Sequence, residues 1–211
     1  MPVVDLSHAI ATDTPVYPGT PPVRREALAT LAEHGFAETL LTLTTHTGTH
    51  IDAPAHLLPG ALTLDLVPPE RFVGRACVLD LPAAPREVQL GALEAHARRL
   101  AGCTMVLLRT GWDRHWGQPA YLEGFPVLSL DAARWLATLG LAAVGVDAVS
   151  FDRLDAGELP VHRLLLGAGV LLVENLTRLD RLPVTGLTFC CLPLPVADAD
   201  GAPCRAVAML P

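Results

Sequence analysis

A single α/β domain built on a mixed sheet is the fold class this sequence predicts, on three observations. Short apolar, β-prone runs alternate with helical patterning through the middle third of the chain. Both ends instead carry strand-like runs punctuated by prolines. The chain has 211 residues, 51% of them hydrophobic, with no internal repeat, low-complexity tract or linker-like stretch. One domain over residues 1–211, with a full core, is therefore expected.

Taken in order, Val3 to Leu6 reads as a short strand that breaks at Ser7-His8. Thr14 to Pro22 is a loop carrying Pro15, Pro18, Pro21 and Pro22. Proline fixes φ and biases its predecessor to extended conformations, so this loop is expected to be stiff. Tyr17, its one aromatic, either walls a pocket or packs under its own loop. Residues 39–45 read as a strand, with Leu41 and Leu43 on one face and Thr42 and Thr44 on the other. His46 continues the polar face, so this strand is expected to emerge from the core into the motif described below. Cys77 to Leu81 and Cys103 to Arg109 read as buried strands. They flank a helix over residues 87–101, patterned by Leu90, Leu93 and Leu100. Thr110 to Gly117 then forms a loop holding two of the three tryptophans. A helix opens at Ser129 or Asp131 and runs to Leu139, where Gly140 stops it. Ala142 to Asp147 and Val170 to Glu174 are further buried strands, the latter after a turn at Gly167-Ala168-Gly169. Leu187 to Leu192 and Arg205 to Leu210 add strands in the tail.

Composition excludes several function classes. Net charge is -7 with no basic cluster, which argues against nucleic acid as a partner. Mean hydropathy is +0.39, yet the longest apolar run, Leu164 to Val173, is too short to span a bilayer and ends in Glu174. The start, Met-Pro-Val-Val-Asp, lacks the basic-then-apolar pattern of a secretory signal. The five cysteines are odd in number, two are adjacent, and none form C-x-x-C. Free thiols in a reducing cytoplasm are the expectation.

Chemistry concentrates in His46-Thr47-Gly48-Thr49-His50-Ile51-Asp52-Ala53-Pro54-Ala55-His56. Imidazole and carboxylate are ligands for borderline and hard divalent cations. A continuous helix cannot gather them, because Asp52 would fall about 160° round from His50. A straight strand cannot either, because it would separate residues 46 and 52 by roughly 20 Å. Donor atoms must converge within ~2 Å of an ion, so the chain must turn, and Gly48 permits the turn. The competing reading is a polar surface loop. His56 is open between a fourth ligand and an acid/base group. Glu174, at the end of an apolar run, is either a buried carboxylate with a partner or a solvated strand end. The absence of thiolates in the cluster favours an open, catalytic site over a structural one.

This stretch resembles the signature of the cyclase family of metal-dependent hydrolases, which includes bacterial kynurenine formamidase (arylformamidase) and isatin hydrolase. Asp5-Leu6-Ser7, Pro15-Val16-Tyr17-Pro18-Gly19, Thr110-Gly111-Trp112, Gly145-Val146-Asp147, His162 and Leu172-Val173-Glu174-Asn175-Leu176 extend the resemblance over nearly the whole chain. It implies a swivelling β/β/α fold in a homodimer or homotetramer. It also implies two divalent metal ions per chain, zinc or manganese. His46, His50 and Asp52 match the ligands of the first, with Asp52 bridging; His162 and Glu174 match ligands of the second. His56 matches the catalytic acid/base and Tyr17 an aromatic against the substrate. The implied reaction is hydrolysis of an amide-type C–N bond in a small aromatic substrate, with N-formylkynurenine as the leading expectation. Thr49 and Thr110-Gly111-Trp112 look more like the broader cyclase or isatin-hydrolase branch, the latter opening a lactam; the chain length looks more like the formamidase branch. A one-metal lyase or cyclase, and a non-enzymatic metal-binding protein, are the alternatives.

Overall fold

The computed structural model describes residues 1–81 and 86–211. Its first elements are β1 (Val3–Asp5), β2 (Arg24–Ala29), α1 (Leu31–His34), β3 (Glu38–Thr42) and β4 (His50–Asp52). The middle holds β5 (Val73–Asp80), β6 (Glu87–Val88), α2 (Leu90–Glu94), β7 (Met105–Arg109), β8 (Val127–Leu128), α3 (Leu130–Ala137) and β9 (Ala143–Val146). The last third holds α4 (Pro160–Gly167), β10 (Leu171–Glu174), β11 (Leu187–Cys190), β12 (Gly201–Pro203) and β13 (Val207–Met209).

Among the described residues, nine strands form one mixed sheet in the order β1-β13-β11-β5-β7-β9-β10-β4-β12. Its centre, β5-β7-β9-β10, is parallel, and its flanks are antiparallel. Parallel strands covered on both faces read as unbroken apolar runs, as these do. Alternate side chains serve opposite faces. Cys77, Leu79, Val106, Leu108, Val144 and Leu172 pack under α3 and α4, against Ala132, Ala133, Leu136, Val161 and Leu165. Ala76, Val78, Met105, Leu107, Leu171 and Val173 face the other way, against Ile51, Leu187, Phe189 and Ala208. Ser129 caps α3, accepting a hydrogen bond from the Ala132 N–H at 3.2 Å, and Gly140 follows at φ 66°.

Two expectations need correction. The strand over 39–45 exists as β3, but it does not emerge from the core. Among the described residues it pairs only with β2, in an exposed two-stranded hairpin, and every residue of β3 is exposed. Alternation of Leu and Thr indicated a strand without saying what would cover it. The helix over 87–101 is broken. Glu87 and Val88 instead pair with β8, α2 is five residues long, and residues 97–100 form a 3-10 turn. Leu93 and Leu100 are both buried, and tertiary anchoring of these two overrides propensity. All five cysteines are free thiols, as expected. Among the described residues, no helix is long and apolar enough to cross a membrane.

Candidate active site

The sheet gathers the motif by pairing β4 with β10 on one side and with β12 on the other. Glu174 lies directly opposite His50, and Leu172 opposite Asp52. Residues 50 and 52 of one strand share a face, so both project with Glu174. Ile51 points into the core on the other face. Gly48 makes the required turn at φ 65°, which brings His46 back over β4. Pro54 opens a 3-10 turn that returns His56 to the same place. His162 arrives from the first turn of α4, whose start the sequence marks with Pro160 at the first helical position.

Six of these side chains, with Asp200 from the residue before β12, form one contact network. His46 sets Nδ1 2.8 Å from Asp52 Oδ1 and Nε2 2.9 Å from Asp200 Oδ2. His50 Nε2 is 3.3 Å from Asp52 Oδ1 and 3.4 Å from Glu174 Oε2. His162 Nε2 is 2.9 Å from Glu174 Oε1 and 3.7 Å from Asp52 Oδ2. His56 Nδ1 is 3.3 Å from Asp200 Oδ2. His46, His50 and Asp52 thus bring their donor atoms close enough to share an ion, and so do Asp52, His162 and Glu174, with Asp52 common to both; His46, His56 and Asp200 converge as closely at the more exposed side of the cluster.

The donor set fits divalent cations, because each imidazole has one nitrogen turned to the cluster and the other held. His46 is held by Asp200, His50 by the Gly48 carbonyl at 2.9 Å, and His162 by Asp152 Oδ2 at 2.7 Å. Such outer partners fix tautomer and ring orientation in metal sites. Asp152 also accepts from the Val161 and His162 backbone N–H groups, so one buried carboxylate both caps α4 and aims His162. Burial opposes charge on His46, but Asp52 and Asp200 outweigh it and raise its pKa to about 10. Burial likewise opposes charge on His162, and Asp152 and Glu174 raise it to about 10. Burial also opposes charge on Asp52, yet His46 and His50 hold it well below the usual carboxylate range. The carboxylates that favour protonated imidazoles here are the ones that would favour a cation in the same place. His56 differs: burial pushes it down, and Asp52 only partly offsets this, so it stays a neutral base.

The cluster forms the floor of a cavity of ≈ 290 Å³ whose walls include Pro15, Tyr17, Val149, Leu154 and Leu159. Tyr17 does not pack under its own loop; its hydroxyl donates to the Leu154 carbonyl at 3.1 Å, across the cavity mouth. The Thr110-Gly111 and Asp147 motifs meet each other: Asp147 accepts from both backbone N–H groups and from Thr110 Oγ1. They brace the ends of β7 and β9 beside the site rather than lining the cavity. Two carboxylates that serve the site were not legible in sequence. Asp200 has only an Asp-Gly step, which reads as a turn. Asp152 carries no local signal at all.

The cyclase family model matches residues 4–153. Kynurenine formamidase of Bacillus cereus is 34% identical over 206 residues, covering 97% of this chain and 95% of that protein. An isatin hydrolase bound to the product analogue thioisatinate superposes with a TM-score of 0.89 at 26% identity, covering 99% of this chain and 92% of that one. A protein of Bacillus stearothermophilus described as a predicted metal-dependent hydrolase superposes at 0.80 with 28% identity, covering 98% and 97%. The motif, the two triads on β4, β10 and α4, and these matches along the whole length converge: the chain belongs to the cyclase family.

Proposed function

We propose that this chain is a metal-dependent hydrolase of an amide-type C–N bond in a small aromatic molecule. The leading reaction is that of an arylformamidase, N-formylkynurenine plus water giving kynurenine and formate. The observation that carries this reading is the pair of ligand triads sharing Asp52 beneath a cavity of substrate size. His46, His50 and Asp52 would hold one divalent cation, and Asp52, His162 and Glu174 a second; zinc or manganese suits such a donor set. What such a pair supplies when bound is Lewis-acid polarisation of the carbonyl and a water acidified toward neutrality.

The chain's own residues do the rest. Asp52 keeps both triads in register from the centre of β4. Tyr17 and the apolar wall at Leu154 and Leu159 stack and desolvate the aromatic ring. His56 is neutral and bordered by the cavity, with Nδ1 toward Asp200 and Nε2 left to carry a proton. It accepts the proton of the attacking water as the oxygen–carbon bond forms. It returns that proton to the leaving nitrogen as the carbon–nitrogen bond breaks.

The structural likeness to isatin hydrolase supports a second reading, in which the same attack opens a lactam. Metal-loaded protein assayed side by side on N-formylkynurenine and isatin separates the two. Turnover of the formamide with none of the lactam is expected; the reverse selects the second reading, and turnover of neither removes both. A homodimer or homotetramer is part of the proposal. The hairpin of β2 and β3 with α1 exposes Leu31, Phe36, Leu40 and Leu41, more apolar surface than an isolated ribbon keeps in water. The free thiols support a cytoplasmic setting.

A further inference from the structure

We propose that Asp200 is the positioning residue of the proton carrier: it fixes the ring of His56, with Nδ1 held and Nε2 presented to the cavity. The proposal rests on His56 acting as the acid/base in the reading above.

Asp200 sits where β12 begins. Its backbone carbonyl accepts from the Ala53 N–H at 2.9 Å, three residues before His56. The next residue, Gly201, pairs with Asp52. A β-carbon at Gly201 would meet His46 Cε1 at 2.7 Å and the Ile51 carbonyl oxygen at 2.9 Å, so glycine lets β12 come this close. The approach places one oxygen, Asp200 Oδ2, 2.9 Å from His46 Nε2 and 3.3 Å from His56 Nδ1. The two rings lie 4.1 Å apart, centroid to centroid. Among the described residues, no other hydrogen bond holds the His56 ring, whereas His50 and His162 are each held by partners of their own. A histidine that must accept and return a proton in one place needs its tautomer set, and an aspartate on the opposite nitrogen sets it. Because the same oxygen also touches His46, Asp200 ties the proton carrier to the cluster at a fixed distance.

The test uses Asp200→Asn, which keeps the volume, and Asp200→Ala, which removes the group. Each is also combined with His56→Ala. Three quantities are read: metal ions per chain, kcat and KM separately, and the tautomer of His56 in a long-range ¹H–¹⁵N spectrum of the metal-free protein. Because Asp200 also holds His46, metal affinity is expected to fall, so each variant is assayed at saturating metal, where full metal content and an unchanged KM are expected. The expected fall in kcat is roughly 10- to 100-fold. The His56→Ala background should show no further loss when Asp200 is changed, and the Nδ1–H signal of His56 should weaken in Asp200→Asn. Full kcat in both single variants overturns the proposal, as do losses that multiply with that of His56→Ala. Turnover restored in full by saturating metal also overturns it, by showing that Asp200 acts only through His46. Full activity of His56→Ala alone would instead remove the reading on which the proposal rests.

Discussion

Asp52 is fully buried among three imidazoles and a second carboxylate, an arrangement that only opposite charge sustains. Its two oxygens face different triads, so His56 and Asp52 have separable duties. His56→Ala should keep its metal and lose roughly 10²- to 10⁴-fold in kcat, the usual share of a general acid/base. Metal analysis beside kinetics checks this, and metal loss would make His56 a ligand. Asp152→Asn should weaken metal binding by about 10- to 100-fold, because His162 would lose its orienting carboxylate. Competition with a chelator measures it. A third residue bears on stability. His8 stacks on Trp116 at 3.8 Å with Nε2 buried and without a partner among the described residues, and burial, against the pull of Asp113, lowers its pKa to about 4. The unfolded chain therefore binds this proton first, near the ordinary value of ~6.5. Stability present above that pH is lost as pH falls toward about 4. His8→Phe keeps the stack and removes the titration, so urea midpoints at pH 7 and pH 5 should differ less than in the parent protein. An unchanged difference would contradict the assignment. At this scale the ligand types were legible because metal chemistry restricts them to a few residues at short spacing. Asp152 and Asp200 were not, since their role depends on which strand the chain returns to.

The elements show why a local motif sufficed to find a site but not to build it. Gly48 was readable as a hinge, because both regular structures fail to converge the ligands, and it does turn at φ 65°. The strand that carries His50 and Asp52 is only three residues long, and its place comes from pairing with β10 and β12 across more than a hundred residues of sequence. Buried parallel strands were legible as apolar runs; β3 and the broken helix after residue 87 were misread because burial, not pattern, decides both. Gly145 offers a test at this level. A β-carbon there would meet Leu176 Cδ1 at 2.6 Å and Leu107 Cδ2 at 2.9 Å, between β9 and its neighbours. Gly145→Ala should therefore destabilise by about 1–3 kcal/mol through overpacking. Thermal unfolding of the metal-free protein measures it, and an unchanged midpoint would mean that the two leucines give way freely.

At the scale of the whole molecule, the sheet brings early and late segments of the chain together at one site. β4 and β12 come from opposite thirds of the sequence, and β10 with α4 supplies the remaining ligands. The hairpin stands outside this sheet and exposes Leu40 and Leu41. Leu40→Ser with Leu41→Ser should shift the assembly toward monomer in light scattering while leaving the metal site intact; an unaltered mass would place the interface elsewhere. The central claim is that one carboxylate serves two ion sites. The most direct measurement is metal content per folded chain, by elemental analysis, in the parent protein and in Glu174→Ala, with hydrolysis followed on the same samples. The account predicts two ions in the first, one in the second, and nearly complete loss of turnover with the second ion. A parent chain that saturates at one ion, or a Glu174→Ala chain that still hydrolyses its substrate at the parent rate, would contradict it.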